Sequence, residues 1–173
     1  MNTYLLGDAN SGQIDGTILS IDFKDAFRSI SLRWFYLVMV YLAVPKEFSD
    51  WFWAMYQDLY TVIVINKYRS GKISNKRGFM EGHPPSMAAF VVSIIPLMIS
   101  LEEKMAGILT PDDKNHRIKL FADDLKLFLK EIAEIPKAYE VICDFENVSG
   151  LKMHRDPKRG NVRLSHLVNI GKI

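Results

Sequence analysis

The sequence is poor in cysteine, in histidine and in net charge. A single cysteine, Cys143, excludes an internal disulfide and indicates an intracellular protein, cytoplasmic or nuclear. Basic side chains number 22 and acidic ones 20, and the resulting net charge of +2 gives no overall signature of nucleic-acid binding. The four histidines show no metal-ligand spacing, so no zinc knuckle is expected.

Long apolar runs are also missing. The most hydrophobic stretch, residues 87–101, is interrupted by Ser93, Pro96 and Ser100. It is shorter than the ~20 residues that a membrane span requires. We therefore predict a buried helix, kinked at Pro96, and no membrane partner. A polar stretch follows the first four residues, so no signal peptide is expected.

The chain does have the size and apolar content for a core. Its 173 residues, 49% of them hydrophobic, predict one α+β domain without repeats. The hydrophobic pattern predicts strands over residues 17–21, 61–66 and 73–79, with a turn at 68–71 between the last two. It also predicts helices over 32–42, 46–59 and 86–104, and a last helix that begins at Pro136 and ends at Gly150.

Two adjacent carboxylates, Asp123 and Asp124, separate two short apolar runs. This pattern predicts a tight β-hairpin with the aspartates at its tip. Like charges about 4 Å apart repel by on the order of 4 kcal/mol at an effective dielectric constant near 20. A divalent cation removes this repulsion, and carboxylate oxygens suit Mg²⁺. An ordinary polar turn is the alternative interpretation of these two residues alone.

A third carboxylate, Asp22, follows the apolar and β-branched strand predicted at 17–21. If this strand neighbours the hairpin in one sheet, Asp22 faces Asp123 and Asp124. Three carboxylates on two strands could form a two-metal site for phosphoryl transfer.

Four ordered motifs resemble those of reverse transcriptases, most closely the LINE-type (non-LTR) retrotransposon enzymes. They are IDFKDAF at residues 21–27, RGFMEGHPPS at 77–86, FADD at 121–124, and Phe145 followed by SGLK at 149–152. The resemblance implies a polymerase palm, an antiparallel sheet packed on helices, with the fingers and thumb largely missing. It divides the chain into a residual N-terminal segment (1–16), the palm (17–163) and a C-terminal tail (164–173) that begins the primer-grip region.

The resemblance implies RNA-directed DNA synthesis from an RNA template, a DNA primer and dNTPs. Asp22, Asp123 and the backbone of Phe23 would hold two Mg²⁺ ions, for which Mn²⁺ could substitute, with Asp124 more peripheral. Phe27 would lie against the sugar of the incoming nucleotide and exclude a ribose 2′-hydroxyl. A buried residue at the start of a helix is the other interpretation of Phe27.

Further residues are assigned by the same resemblance or by local charge. Gly82 would allow close approach to the nucleotide, and Ser86 could cap the next helix. Lys152 and Lys158 would contact the triphosphate or pyrophosphate. A stretch without acidic residues is predicted to bind nucleic acid, together with Glu81 beside it: Lys67, Arg69, Lys72, Lys76 and Arg77. A solvated loop is the alternative for these cations.

Several positions depart from the family pattern. Glu81 replaces a usual Gln and Arg28 a frequent Asp, and further differences occur at His83, Pro85, Met87 and His154. The leading hypothesis is a reverse transcriptase palm from a longer polyprotein. The alternatives are a non-catalytic RNA-binding or protein-interaction scaffold and a nucleotide cyclase. A nucleotide cyclase is disfavoured because the 77–86 segment and Phe27 would have no role in it.

Overall fold

The computed structural model describes residues 16–110, 113–121 and 123–154, and the backbone of 162–167. In this part of the chain the helices are α1 (Ala26–Ser29), α2 (Leu32–Tyr41), α3 (Lys46–Tyr56), α4 (Pro84–Lys104) and α5 (Ile135–Ser149). The strands are β1 (Gly16–Lys24), β2 (Tyr60–Thr61), β3 (Val64–Ile65), β4 (Tyr68–Arg69), β5 (Ile73–Ser74), β6 (Ile108–Leu109), β7 (Asn115–His116), β8 (Ile118–Phe121), β9 (Asp124–Leu129), β10 (Lys152–Met153) and β11 (Val162–Leu167). The predicted α+β class is confirmed.

The main sheet is antiparallel and centres on β1. Its order is β10-β1-β9-β8, and β11 also pairs with β1. Since β9 lies along one edge of β1, β10 and β11 share the other edge, β10 beside residues 23–24 and β11 beside 16–21. Residues 164–167 therefore belong to the same sheet as the carboxylate-bearing strands.

Strand β1 has one buried face and one less buried face. Thr17, Leu19, Ile21 and Phe23 are buried, whereas the residues between them are only half-buried. This period of two is the signature of a strand packed on one side. It places Asp22 on the more accessible face of the sheet.

Helix α4 supplies the apolar layer beneath the sheet. Phe90, Ile94, Leu97 and Leu101 recur at helical spacing and are almost completely buried. They belong to the same core cluster as three buried leucines of β9: Leu125, Leu127 and Leu129. The helix packs against α2, α5 and β8 and continues through Pro96.

Among the described residues, α4 is long and apolar enough to cross a membrane by length and composition alone. A core helix of a soluble protein passes the same test. The predicted helix is confirmed, and one of its faces is buried in the core.

Residues 60–74 form an exposed double hairpin, which we call the β-arm. Strand β2 pairs with β5 and strand β3 with β4. The predicted turn at 68–71 is wrong, because Tyr68 and Arg69 form a strand and the turn lies at Asn66-Lys67. Both turn residues have positive φ, 49° and 70°. A two-residue hairpin loop of this handedness suits Asn66 at its first position, whereas Lys67 is not a residue that the second position usually favours.

The helix termini agree closely with the sequence patterns. Helix α5 carries Pro136 in its first turn and is capped at its C-terminal end by Gly150, whose φ is 83°. Helix α3 begins directly after Pro45 and ends at Tyr56, a little earlier than predicted. In α2 the hydroxyl of Ser31 accepts a hydrogen bond from the Trp34 backbone N–H at 3.2 Å, which caps the helix.

Candidate active site

The central strand and the hairpin bring Asp22 and Asp124 together. These residues oppose each other directly in the antiparallel β1–β9 pair. Opposed residues in such a pair have Cα atoms about 4.5–5.5 Å apart and share one face of the sheet. Both carboxylates therefore lie on the more accessible face of the sheet. This is the arrangement expected if the Asp22 strand and the hairpin are neighbours in one sheet.

Asp123 lies in the connection between β8 and β9. Phe121 and Asp124 pair with each other and close the hairpin, so Asp123 is one of the two residues that join the strands. The sequence pattern predicted both aspartates at the tip. Asp124 is instead the first residue of β9, because a two-residue loop leaves room for only one of them.

Electrostatics link the three carboxylates. Partial burial raises the pKa of Asp22, and the negative charges of Asp123 and, more weakly, Asp124 raise it further. His154 and the backbone N–H of Phe23 lower the pKa of Asp22 but do not cancel this rise. Ionised Asp22 thus lies in a locally negative environment that a cation would neutralise.

The arrangement fits a hard divalent metal by its donor chemistry. Carboxylate oxygens with a backbone carbonyl form the kind of donor set that Mg²⁺ prefers. Within the described residues, no group of three or more His, Cys, Asp or Glu side chains is placed so that it could hold a metal ion, so the fit is one of donor type and not of geometry. Asp124 is engaged elsewhere, since its Oδ2 lies 3.2 Å from Lys126 Nζ.

Two residues that sequence reasoning did not use border these carboxylates. The backbone N–H of His154 donates to the carbonyl of Asp22 at 2.9 Å. Lys126 follows Asp124 by two residues and so shares its face of β9. That spacing could have identified Lys126, whereas His154 becomes a neighbour only through the β1–β10 pairing, in which Phe23 opposes Met153.

Phe27 packs against the hydrophobic core. It lies in α1, half-buried, and its ring stacks on Phe90 of α4 with centroids 4.7 Å apart and planes 26° apart. Phe90 itself is completely buried. The position of Phe27 is therefore fixed by the packing of α4.

Residues 78–79 dock onto the backbone around α1. Gly78 N–H donates to the Ile30 carbonyl at 2.9 Å, and Phe79 N–H donates to the Phe27 carbonyl at 2.6 Å. Gly78 has a φ of 76°, and a Cβ there would come within 2.5 Å of backbone atoms of Arg28. Only glycine fits this contact without displacement of the chain.

Arg28 and Glu81 form a forked ion pair across this junction. Arg28 Nε lies 2.9 Å from Glu81 Oε1, and Nη2 lies 3.3 Å from Oε2. The hydrogen bond and the charge of Arg28 lower the pKa of Glu81. The two most conspicuous departures from the family pattern thus neutralise each other.

The predicted cap at Ser86 is wrong. Helix α4 begins two residues earlier, at Pro84, and His83 precedes it without a side-chain cap. The Ser86 hydroxyl donates to the Met80 carbonyl at 2.6 Å and lies 2.9 Å from the hydroxyl of buried Tyr56. Proline tolerates the first helical turn because no intrahelical N–H bond is needed there, which moves the helix start upstream.

The remaining predicted site residues are distributed over several surfaces. Gly82 has a φ of 79° and open space where a Cβ would project. Lys152 is exposed and lies near Glu146 of α5, with Nζ 4.0 Å from Oε2. Lys67, Arg69 and Lys72 lie on the exposed β-arm. Lys76 and Arg77 line a groove of about 650 Å³ with Arg28 and Glu81. Lys158 lies outside the described residues.

Comparison with known proteins settles the family. The family model described as reverse transcriptase (RNA-dependent DNA polymerase) matches residues 7–156, which include all four sequence motifs. The chain belongs to the reverse transcriptase family. The resemblance to reverse transcriptases is thereby confirmed, and similarity to an R2 retrotransposon protein confirms its LINE-type (non-LTR) part.

This reverse transcriptase chain is also similar to a retrotransposon protein. The relative is the Retrovirus-related Pol polyprotein from type-1 retrotransposable element R2 of Popillia japonica, 25% identical over 138 residues. The alignment covers 79% of the chain but 23% of the relative. The chain therefore spans less than a quarter of that relative's length.

Proposed function

We propose that this chain is the catalytic palm of an RNA-directed DNA polymerase, which extends a DNA primer on an RNA template from dNTPs. The observation that carries the proposal is the direct opposition of Asp22 and Asp124 on the accessible face of the central strand, with Asp123 electrostatically coupled to them. These residues lie within the segment matched by the family model.

The metal assignment follows from the donors. Asp22, Asp123 and the backbone carbonyl of Phe23 would hold two Mg²⁺ ions, or Mn²⁺ in their place, with Asp124 more peripheral. When bound, such ions activate the primer 3′-hydroxyl and stabilise the leaving pyrophosphate. Lys126 supports the peripheral role of Asp124, because its ammonium group competes for that carboxylate.

The surrounding residues select and orient the nucleotide in this proposal. The ring of Phe27 excludes a ribose 2′-hydroxyl, and Phe90 supports it from the core. Gly82 leaves open space for the nucleotide or template. Lys152 and Lys158 neutralise phosphate charge, and the forked pair keeps Glu81 from repelling the triphosphate.

The polymerase would work inside the cell, in the cytoplasm or nucleus, together with other domains of a longer polyprotein. The alignment covers only 23% of the R2 relative, which supports a longer polyprotein. The proposed palm boundaries are residues 17 and 163.

Primer extension tests the proposal. Asp123→Asn should abolish Mg²⁺-dependent extension of a DNA primer on an RNA template, because it removes a ligand charge while preserving side-chain size. Asp144→Asn, an exposed change on α5, is the matched control and should extend normally. Extension by Asp123→Asn at the rate of the control would refute the assignment.

The non-catalytic scaffold is not supported as a second function. That alternative rests on the fingers and thumb that the resemblance implies are missing and on the extra negative charge of Glu81 near phosphates. Arg28 neutralises that charge in the fold. The cyclase alternative has no use for the docking of residues 78–79 beside Phe27.

A further inference from the structure

The β-arm exposes apolar side chains that contribute nothing to the core. Tyr68 is 83% exposed, the highest value among large apolar side chains in the described part of the chain. Four others on the arm are about half exposed or more: Tyr60, Val64, Ile65 and Ile63. Such a concentration on one projecting element indicates a surface for a partner.

Hydrogen bonds rather than packing hold the arm together. The Ser70 backbone N–H donates to the Ile63 carbonyl at 2.9 Å. The Ile63 backbone N–H in turn donates to the Ser70 hydroxyl, also at 2.9 Å. Asn75 binds Thr61 through its side chain at 2.9 Å and Leu59 through its backbone at 2.8 Å. The fold therefore positions the arm while it leaves the apolar side chains available.

The charge on the arm is of one sign. Residues 59–80 contain five cations and no acidic residue. The cations on the arm itself, Lys67, Arg69 and Lys72, form no ion pair with any carboxylate of the described residues. Their charge is therefore complementary to a polyanion.

Cations and rings are interleaved on the arm. Ile65 and Tyr68 oppose each other across β3–β4 and share one face, and Val64 opposes Arg69 on the other face. Lys72 Nζ lies 4.3 Å from the centroid of the Tyr60 ring. The turn presents Lys67 at the tip. Rings that stack on bases, flanked by cations that contact phosphates, are the two features that single-strand binding requires.

The base of the arm leads to the candidate active site. The groove lined by Arg28, Lys76, Arg77 and Glu81 lies at this base, and Phe79 is hydrogen-bonded to Phe27. An RNA strand that lies along the arm would therefore reach the vicinity of Phe27.

We propose that the β-arm binds the single-stranded RNA template ahead of the active site, with Tyr68 stacking on a base and Lys67, in the adjoining turn, contacting the backbone. This inference rests on the proposed function, because that function supplies an RNA template. It adds a binding surface separate from the metal-binding carboxylates.

Binding of a fluorescein-labelled, unstructured RNA of about 12 nucleotides tests the inference by anisotropy, without Mg²⁺ or dNTP. Tyr68→Ala should weaken binding about tenfold and leave the salt dependence unchanged, because it removes stacking and no charge. Tyr68→Phe should bind normally. Lys67→Gly keeps the left-handed turn, and it should reduce the slope of log K against log salt by about 0.7, the loss of one phosphate contact.

Matched controls lie on α2. Tyr41 is 73% exposed, and Tyr41→Ala should not change RNA affinity. Arg33→Ala, also exposed, should not change the salt slope. Equal affinities of Tyr68→Ala and wild type, or equal losses in the Tyr68 and Tyr41 variants, would overturn the inference. Self-association that depends on Tyr68, with RNA binding unaffected, would instead assign the arm to a second copy of the chain.

Failure of this inference is distinguishable from failure of the proposed function. If RNA binding depends on Tyr68 but wild type neither extends a primer nor is stabilised by Mg²⁺, the arm assignment stands and the polymerase proposal fails. If extension depends on Asp123 but RNA affinity does not depend on Tyr68, only the arm assignment fails. Asp144→Asn should bind the RNA like wild type.

Discussion

Replacement of Gly78 by alanine should strongly destabilise the chain and separate the 78–79 segment from α1. A Cβ at this position meets backbone atoms of Arg28 at 2.5–2.6 Å, and backbone cannot move aside as a side-chain end can. The left-handed conformation, φ 76°, costs a non-glycine residue roughly 1–2 kcal/mol. Loss of the two hydrogen bonds to Ile30 and Phe27 adds about 1 kcal/mol each. The expected total is about 3–4 kcal/mol.

Alanine variants of two other glycines separate the contributions to this loss of stability. Gly82 has a similar φ of 79° but open space where a methyl group would project, so Gly82→Ala should cost only about 1–2 kcal/mol of strain. Gly71 has neither a positive φ nor a neighbour within 4 Å, and Gly71→Ala should change stability by less than about 0.5 kcal/mol. The series thus separates conformational strain from steric contact.

Thermal unfolding followed by circular dichroism measures all three variants. For a chain of this size, the Gly78→Ala penalty corresponds to a decrease in Tm of about 10 °C, and the Gly82→Ala penalty to about 4 °C. Equal Tm values for Gly78→Ala and Gly82→Ala would show that the docking contact contributes nothing. A Gly78→Ala chain as stable as Gly71→Ala would refute the reasoning entirely.

Two further predictions concern the carboxylates and the gate. Asp22→Asn should raise the Tm of the metal-free chain at pH 7, because folding raises the pKa of Asp22 and its ionisation therefore opposes folding. This increase in Tm should vanish as the pH falls below the pKa of the Asp22 carboxyl in the unfolded chain. The same variant should lose the Mg²⁺-induced stabilisation expected of wild type, about 2.7 kcal/mol at 100 times Kd, and retention of it would exclude Asp22 as a ligand. Phe27→Val should raise ribonucleotide incorporation relative to deoxynucleotides in primer extension, with Phe27→Tyr as control, and an unchanged sugar preference would contradict the gate.

The elements that sequence predicted well are those whose signals are local. The apolar and β-branched run of β1, the apolar helix α4 and the Pro136 and Gly150 termini each follow from short-range steric and burial preferences. The β-arm was predicted less well. Its strands are two residues long, and Asn66-Lys67 is a weaker turn signal than Ser70-Gly71.

The sequence predicted that the carboxylates lie close together but not which other residues lie beside them. Asp22 and Asp124 are about a hundred residues apart, and the predicted adjacency needed only that their strands pair. The register then decided which aspartate faces Asp22 and which lies in the loop. His154 is brought to Asp22 by β10, a strand too short for a hydrophobic pattern to reveal.

Arg28 and Glu81 show why departures from a family pattern should be interpreted in pairs. Taken singly, Glu81 adds a negative charge near proposed phosphate and metal sites, and Arg28 removes one; each alone argues for a decayed site. In the fold their side chains form two hydrogen bonds, at 2.9 and 3.3 Å, on the same docked junction as Gly78. Because both groups are largely exposed, the pair adds little to stability, so its effect lies in the local charge. A pair that restores neutrality beside Phe27 is what the proposed polymerase site would retain, whereas unconstrained drift gives no reason for the two changes to meet.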